Sequence, residues 1–308
     1  MACHEIIYNH EKLKEDVILV IKNMKIDNKD RIKEIDNFVI KCFDKNTNLK
    51  DNADTELFLI QKYILNEFTH PHFLNYYSII RFKDETNKIN ESTDYYTKLN
   101  TYKNKISPKL GHMNNNPTKV KDNNIGIVMP KYQTLGSYIN DIEIDPKLLL
   151  NNIIGILDLS ILIRDKYNLI HSDLKVDNIV VHNNIFYLID WEDAFTRDEM
   201  YYHYTRPTLG NTEMYPHYNA TAEQFFIYSI GVLIIKIIGY NYEVTYKDFM
   251  ENITFNYILT KIPSKLTILY EQVLLDIYDK KFEKIEELKD RLEELINNIK
   301  EEKDEQLM

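Results

Sequence analysis

Glycine is scarce in this chain: there are seven in 308 residues, and none before Gly111. The N-terminal third therefore has no glycine-rich turn that would let backbone amides close around a phosphate. Cysteine is scarcer still, with only Cys3 and Cys42. That excludes a disulfide framework and a cysteine-based zinc site, and it fits a reducing compartment. No uninterrupted apolar run reaches the ~18 residues of a membrane span. The opening MACHEIIYNHEKLKED also lacks the apolar stretch of a signal peptide. Positive charge is in deficit, with 38 Lys and Arg against 48 Asp and Glu and a net charge of −10. A surface of that sign disfavours nonspecific nucleic-acid binding. Together these absences predict a cytoplasmic protein with no membrane and no nucleic-acid partner.

Asn, Ile, Lys and Tyr are abundant, with 23 tyrosines. AT-rich coding produces that bias whatever the fold, so Tyr201, Tyr202 and Tyr204 carry no functional weight. His4, His10, His112, His203 and His217 show no ligand-like grouping, and no zinc is expected. The length exceeds what one core usually fills, since single cores stop growing near about 250–300 residues, and so predicts two lobes sharing a cleft.

Asp16 to Ile26 and Asn37 to Phe43 are short runs rich in Val and Ile and are predicted as strands. Thr55 to Phe68 places Leu59, Ile60, Tyr63 and Ile64 at helical spacing, with Asp54 as the expected cap and His70-Pro71 as the stop. Residues 83–124 are polar and aperiodic, which suggests a surface insertion. A strand is expected at Asn124 to Met129 and a long apolar helix at Pro146 to Tyr167 despite Gly155. Loop, strand, turn, strand and acidic loop should follow across LIHSDLKVDNIVVHNNIFYLIDWEDA. The remainder reads as helical, with a buried helix at Phe225 to Ile238 and a charged one at Lys281 to Lys303.

The chemistry-bearing residues lie in HSDLKVDN and IDWE. A hydroxyl that attacks a phosphoryl group needs a carboxylate to orient it and accept its proton, and polyphosphate charge needs cations held by oxygen ligands. Asp173 suits the first task. Asn178 and Asp190 suit the second, and Lys175 can set a positive charge beside the transferred group.

His171, Asp173, Lys175 and Asn178 resemble the catalytic loop of the protein-kinase superfamily, with Asp190-Trp191-Glu192 in the place of its Asp-Phe-Gly element. The resemblance covers about residues 36–240. It implies an α+β, two-lobed protein-kinase-like fold: a small β-rich N-lobe over 1–128, a larger helical C-lobe over 129–280, and a charged C-terminal helix over 281–308. It implies ATP and Mg2+ as cofactors, Asp173 as catalytic base, Lys175 on the γ-phosphate, and Asn178 and Asp190 as magnesium ligands, with His171 structural. Lys41 resembles the strand lysine of the α- and β-phosphates. Glu56 is its expected ion-pair partner, although counting back from His70-Pro71 selects Gln61. Met129 would be the gatekeeper, Pro130, Lys131 and Tyr132 the hinge against adenine, and Val39 and Val180 the residues sandwiching the ring.

Gly210 to Pro216 resembles the family's peptide-positioning segment, with His217 in place of its glutamate, and Lys175 resembles the serine/threonine branch. The resemblance therefore implies a serine/threonine protein kinase acting on a protein substrate, divergent and of large-DNA-virus type, in the host cytoplasm or virion. Departures from the pattern are the missing glycine-rich loop, Ser172 for the usual arginine, Trp191-Glu192 for Phe-Gly, and Phe226 where the buried helix normally offers an aspartate. The alternatives are a nucleotide-binding pseudokinase or scaffold, with partners docking on the C-terminal helix, and a small-molecule kinase of aminoglycoside or choline type.

Overall fold

The computed structural model describes residues 5–9, 32–35, 38–43, 53–82, 124–141, 144–192, 194–196, 200–201, 220–242, 244 and 255–305. The expected strand at Asp16 to Ile26, the insertion at 83–123, the Gly210 to Pro216 segment, and His4, His10, His112, His203 and His217 lie outside the described residues. The chain combines helices with small antiparallel sheets, an α+β composition. It divides into two compact units, Met1–Thr69 with Asn75–Lys131, and His70–Leu74 with Tyr132–Met308. Residues 129–131 thus fall with the first unit, the short segment His70–Leu74 with the second, and the C-terminal helix is part of the second rather than a separate piece.

In the first unit, strands β1 (Glu5–Asn9), β2 (Ile32–Ile35), β3 (Phe38–Phe43), β4 (Ser78–Phe82) and β5 (Asn124–Pro130) form one antiparallel sheet in the order β1-β4-β5-β3-β2. Residues directly opposite across a pair share a face. Phe38 stands opposite Pro130 and Ile40 opposite Val128, all four buried, while Val39 stands opposite Met129 and Lys41 opposite Ile127 on the other face. Strand β1 is not anticipated by the sequence reading; it covers the edge of β4 that would otherwise be open.

Helix α1 (Ala53–Ile64) packs on β1 and β4 through a run that includes Leu57, Leu59, Ile60 and Tyr63. Two details differ from the sequence reading. Asp54 lies inside the helix rather than ahead of it, and the helix stops at Ile64, before His70-Pro71. Asn66, in the left-handed region at φ 56°, breaks the run, and Leu65 and Glu67 close onto the carbonyls of Gln61 and Lys62.

The second unit is built on helices. After β6 (Gln133–Thr134) and α2 (Leu135–Asp141) comes α3, which spans Pro146–Tyr167 as the periodicity predicts. Asp145 caps it, accepting from the Leu148 N–H at 3.0 Å; Pro146 opens the first turn, and Asn168 ends it at φ 60°. By length and composition α3 could cross a membrane, but its buried residues include Asn152, Ser160 and Arg164, as suits a core helix of a folded unit.

Strands β7 (Leu169–Ile170), β8 (Ile179–His182), β9 (Ile185–Leu188), β10 (Phe195–Thr196), β11 (Met200–Tyr201) and β12 (Ala220–Thr221) follow. Two of them, β8 and β9, form a three-stranded sheet with β6 in the order β6-β8-β9, and a 3-10 turn at Val176–Asn178 leads into β8. Asn183 and Asn184, both with positive φ, make the tight β8–β9 hairpin turn.

Helix α4 (Ala222–Ile238) starts with a capping box, Thr221 and Gln224 each bonding the other's backbone. Short helices α5 (Phe255–Thr260), α6 (Ser264–Thr267) and α7 (Glu271–Tyr278) lead to α8 (Ile285–Glu305), which buries Ile285, Leu288, Leu292 and Ile296 against α3 and α4. Each such side chain contributes about 1.5–3 kcal/mol. At the crossing, the buried guanidinium of Arg164 bonds Glu223 of α4 at 3.0 Å and both carboxylate oxygens of Glu286 of α8.

Candidate active site

The loop between β7 and β8 gathers the candidate residues of the second unit. The Asp173 Oδ2 accepts from the Lys175 ammonium at 2.6 Å and from Asn178 Nδ2 at 3.0 Å, and the same Nδ2 reaches the Asp173 carbonyl at 2.8 Å. Among the described residues Asp173 Oδ1 makes no hydrogen bond, and 26% of the side chain is exposed. One carboxylate oxygen is therefore fixed by the loop while the other is left without a hydrogen bond among the described residues. Asn178 holds the loop in a second way, because its backbone carbonyl accepts from the Ile189 N–H at 2.9 Å, tying the loop to the residue before Asp190.

His171 is fully buried at the base of the loop. Its Nδ1 accepts from the Asp173 N–H at 3.2 Å, so Nε2 carries the proton and donates to the Ile189 carbonyl at 3.0 Å. Burial holds this imidazole below its ordinary pKa, against the Ile189 carbonyl and the Asp173 and Asp190 carboxylates, which favour protonation. A neutral ring is the form that makes both bonds. The ring packs edge-to-face with that of Trp191, fully buried, at 4.8 Å between centroids.

Asp190 has φ 66°. A non-glycine residue in the left-handed region is uncommon, and here the flanking Ile189 is hydrogen-bonded at both its N–H and its carbonyl. Tyr132 and Val180 also lie in the second unit: Val180 is buried on β8, and Tyr132 stacks on His182 at 4.3 Å with parallel rings.

In the first unit, Val39, Lys41 and Met129 share one sheet face, and Lys131 is exposed just beyond β5. The Lys41 ammonium meets the Glu56 carboxylate at 2.7 Å, with 14% and 3% of the two side chains exposed. Glu56 therefore forms the ion pair with Lys41. Counting back from His70-Pro71 misleads because the turns at 65–67 insert residues between the helix end and that dipeptide.

Asn178 turns its amide nitrogen to Asp173, so its side-chain oxygen is the atom that could serve a hard cation, and the Asp190 carboxylate is a donor of the same oxygen type. The sequence reading missed His72 and Asn152, which close the outer edge of β9 ahead of Asp190. The only sequence signal for them is a polar residue set in an otherwise apolar stretch. No protein-family model matches the chain, and no curated protein matches it in sequence.

Proposed function

We propose that the chain is a Mg-ATP-dependent phosphotransferase of two-lobed protein-kinase type that acts on a serine or threonine hydroxyl of a protein. The observation that carries this reading is the Asp173 carboxylate, with Oδ2 held by Lys175 and Asn178 and Oδ1 without a hydrogen bond among the described residues. A substrate hydroxyl bonded to Oδ1 is oriented for in-line attack on the γ-phosphorus and gives its proton to that oxygen as the new O–P bond forms and the bond to the ADP oxygen breaks. Lys175 neutralises charge on the transferred group. Asn178 and Asp190 would hold Mg2+, which supplies charge neutralisation at the phosphates when bound.

On the first unit, Lys41 is assigned to the α- and β-phosphates, kept in place by Glu56. Val39, Met129, Lys131, Tyr132 and Val180 are assigned to the nucleoside. His171 ties the Asp173 backbone to Ile189, so the base and the metal-binding aspartate are fixed by one ring. In this reading the same linkage secures the loop, Phe226, fully buried, standing where the family's aspartate would be.

The test is transfer of labelled γ-phosphate, with Mg2+, to casein, to aminoglycosides and to choline, comparing the full chain with Asp190→Ala. Transfer to casein that is lost in the variant supports the reading. Label on a small hydroxyl compound alone moves the substrate class to the small-molecule kinases, and ATP binding without transfer to any acceptor or to itself makes the chain a nucleotide-binding scaffold.

A further inference from the structure

In sequence, His70–Leu74 separates α1 from β4, yet it belongs to the second unit. It is a tight turn: Pro71 follows His70, the Phe73 N–H returns to the His70 carbonyl at 3.1 Å, and the His72 N–H bonds His70 Nδ1 at 3.2 Å. The turn lies along the outer edge of β9. β9 is the last strand of its sheet, so its outward backbone groups need partners from elsewhere. Each receives one. The Phe186 N–H donates to Asn152 Oδ1 at 2.8 Å, the Phe186 carbonyl accepts from His72 Nδ1 at 2.8 Å, and the Leu188 N–H donates to the His72 carbonyl at 3.1 Å.

A carbonyl can only accept, so His72 carries its proton on Nδ1 and turns Nε2 toward α3. There it meets Gly155. A Cβ at that position would lie 1.9 Å from Nε2, so glycine in the middle of an otherwise regular helix is what admits the ring. Immediately beyond Leu188 the chain passes through Ile189, bonded on both sides, into the left-handed backbone of Asp190. Phe73, bridged to Leu188, packs on Trp191 at 6.3 Å between centroids.

We propose that His72 is a positioning residue for Asp190: its imidazole, wedged between Gly155 and the Phe186 carbonyl, fixes β9 and with it the backbone that turns at Asp190. The role in catalysis rests on the phosphotransferase reading; the role in placing the backbone does not. A half-buried hydrogen-bond donor that orients a ligand-bearing strand acts as an outer support of the metal site, and loss of such supports typically costs ~10–100-fold in metal affinity or activity.

The test uses the full chain and three variants. His72→Leu keeps volume and removes the donor, His72→Asn keeps a donor nitrogen at the same distance from the backbone, and Gly155→Ala displaces the ring without altering it. Two quantities are read: the amide chemical shifts of Ile189 to Trp191 without nucleotide, with Ile230 to Ile234 of α4 as reference, and the Mg2+ concentration for half-maximal transfer at saturating ATP. His72→Leu and Gly155→Ala should move the shifts at 189–191 and leave the reference in place. They should raise the half-saturating Mg2+ about tenfold, while His72→Asn stays within about threefold of wild type.

Unmoved shifts at 189–191 in His72→Leu and Gly155→Ala overturn the proposal, as does a His72→Asn variant indistinguishable from His72→Leu. Shifts that respond as expected in a protein that never uses Mg-ATP would sustain the positioning role and remove the phosphotransferase reading instead.

Discussion

The Glu56 carboxylate, with 3% of its side chain exposed, is held in the interior opposite the Lys41 ammonium. Removing one partner of such a pair strands the other's charge, whereas removing both can be nearly neutral. Lys41→Met should therefore cost about 3–5 kcal/mol in urea unfolding, and Lys41→Met with Glu56→Leu should recover most of that. A double variant as unstable as the sum of the singles would show that the pair is not coupled. The comparison also matters for function, because a loss of ATP binding in Lys41→Met reports a phosphate contact only if it persists in the stable double variant. The same logic explains how this pair was legible in the sequence only as two candidates: a strand lysine is visible in FVIK, but which carboxylate or amide it meets depends on where α1 ends.

The elements that local signals specify are the ones the sequence announces. Helix α3 carries Asp145 as cap, Pro146 at its first position and an unbroken apolar period, and its bounds are read correctly from those features. Strands β3 and β5 likewise announce themselves as Val- and Ile-rich runs. Helix α4 has the Thr221–Gln224 capping box, and Thr221→Ala should lower stability by about 1 kcal/mol, read as a shift of the urea midpoint with unchanged slope. Features set by distant partners were not legible. Strand β1 pairs along the edge of β4, and its own signal is short, only Ile6, Ile7 and Tyr8 between polar residues, below the roughly four to eight residues by which a strand is read from sequence. Gly155 looks like a flaw in a helix until His72, far away in sequence, is seen against it. The Asp173–Lys175–Asn178 group was legible because it is local, within six consecutive residues of one loop.

At the scale of the whole chain, acid should destabilise the second unit over two adjoining pH intervals. Burial, reinforced by the charge of His72 and opposed by Asp158, lowers the His70 pKa from 6.5 to about 4. The folded form thus binds fewer protons than the unfolded one in that interval, so this stabilisation is present above pH 6.5 and is lost as pH falls toward 4. His72, itself lowered by burial and facing the Phe186 carbonyl and Asp158, which pairs with Lys289, acts in the same direction. The Arg164 guanidinium lowers Glu286 from 4.5 to about 2, a contribution present above pH 4.5 and lost as pH falls toward 2. Urea midpoints taken from pH 7 to pH 3 should decline throughout; His70→Gln should flatten the upper part of the curve and Glu286→Gln the lower, and a His70→Gln curve that declines as steeply as wild type above pH 5 would contradict the assignment.

The measurement that bears most directly on the central claim is the single-turnover rate of γ-phosphate transfer by wild type and by Asp173→Asn, with ATP affinity measured on both. The Asp173→Asn change keeps the size of the side chain and its bond to Lys175 through an oxygen, and removes the capacity to take a proton. The account predicts ATP affinity within about threefold of wild type and a transfer rate lower by ~10²–10⁴-fold. A variant that transfers as fast as wild type would contradict the account.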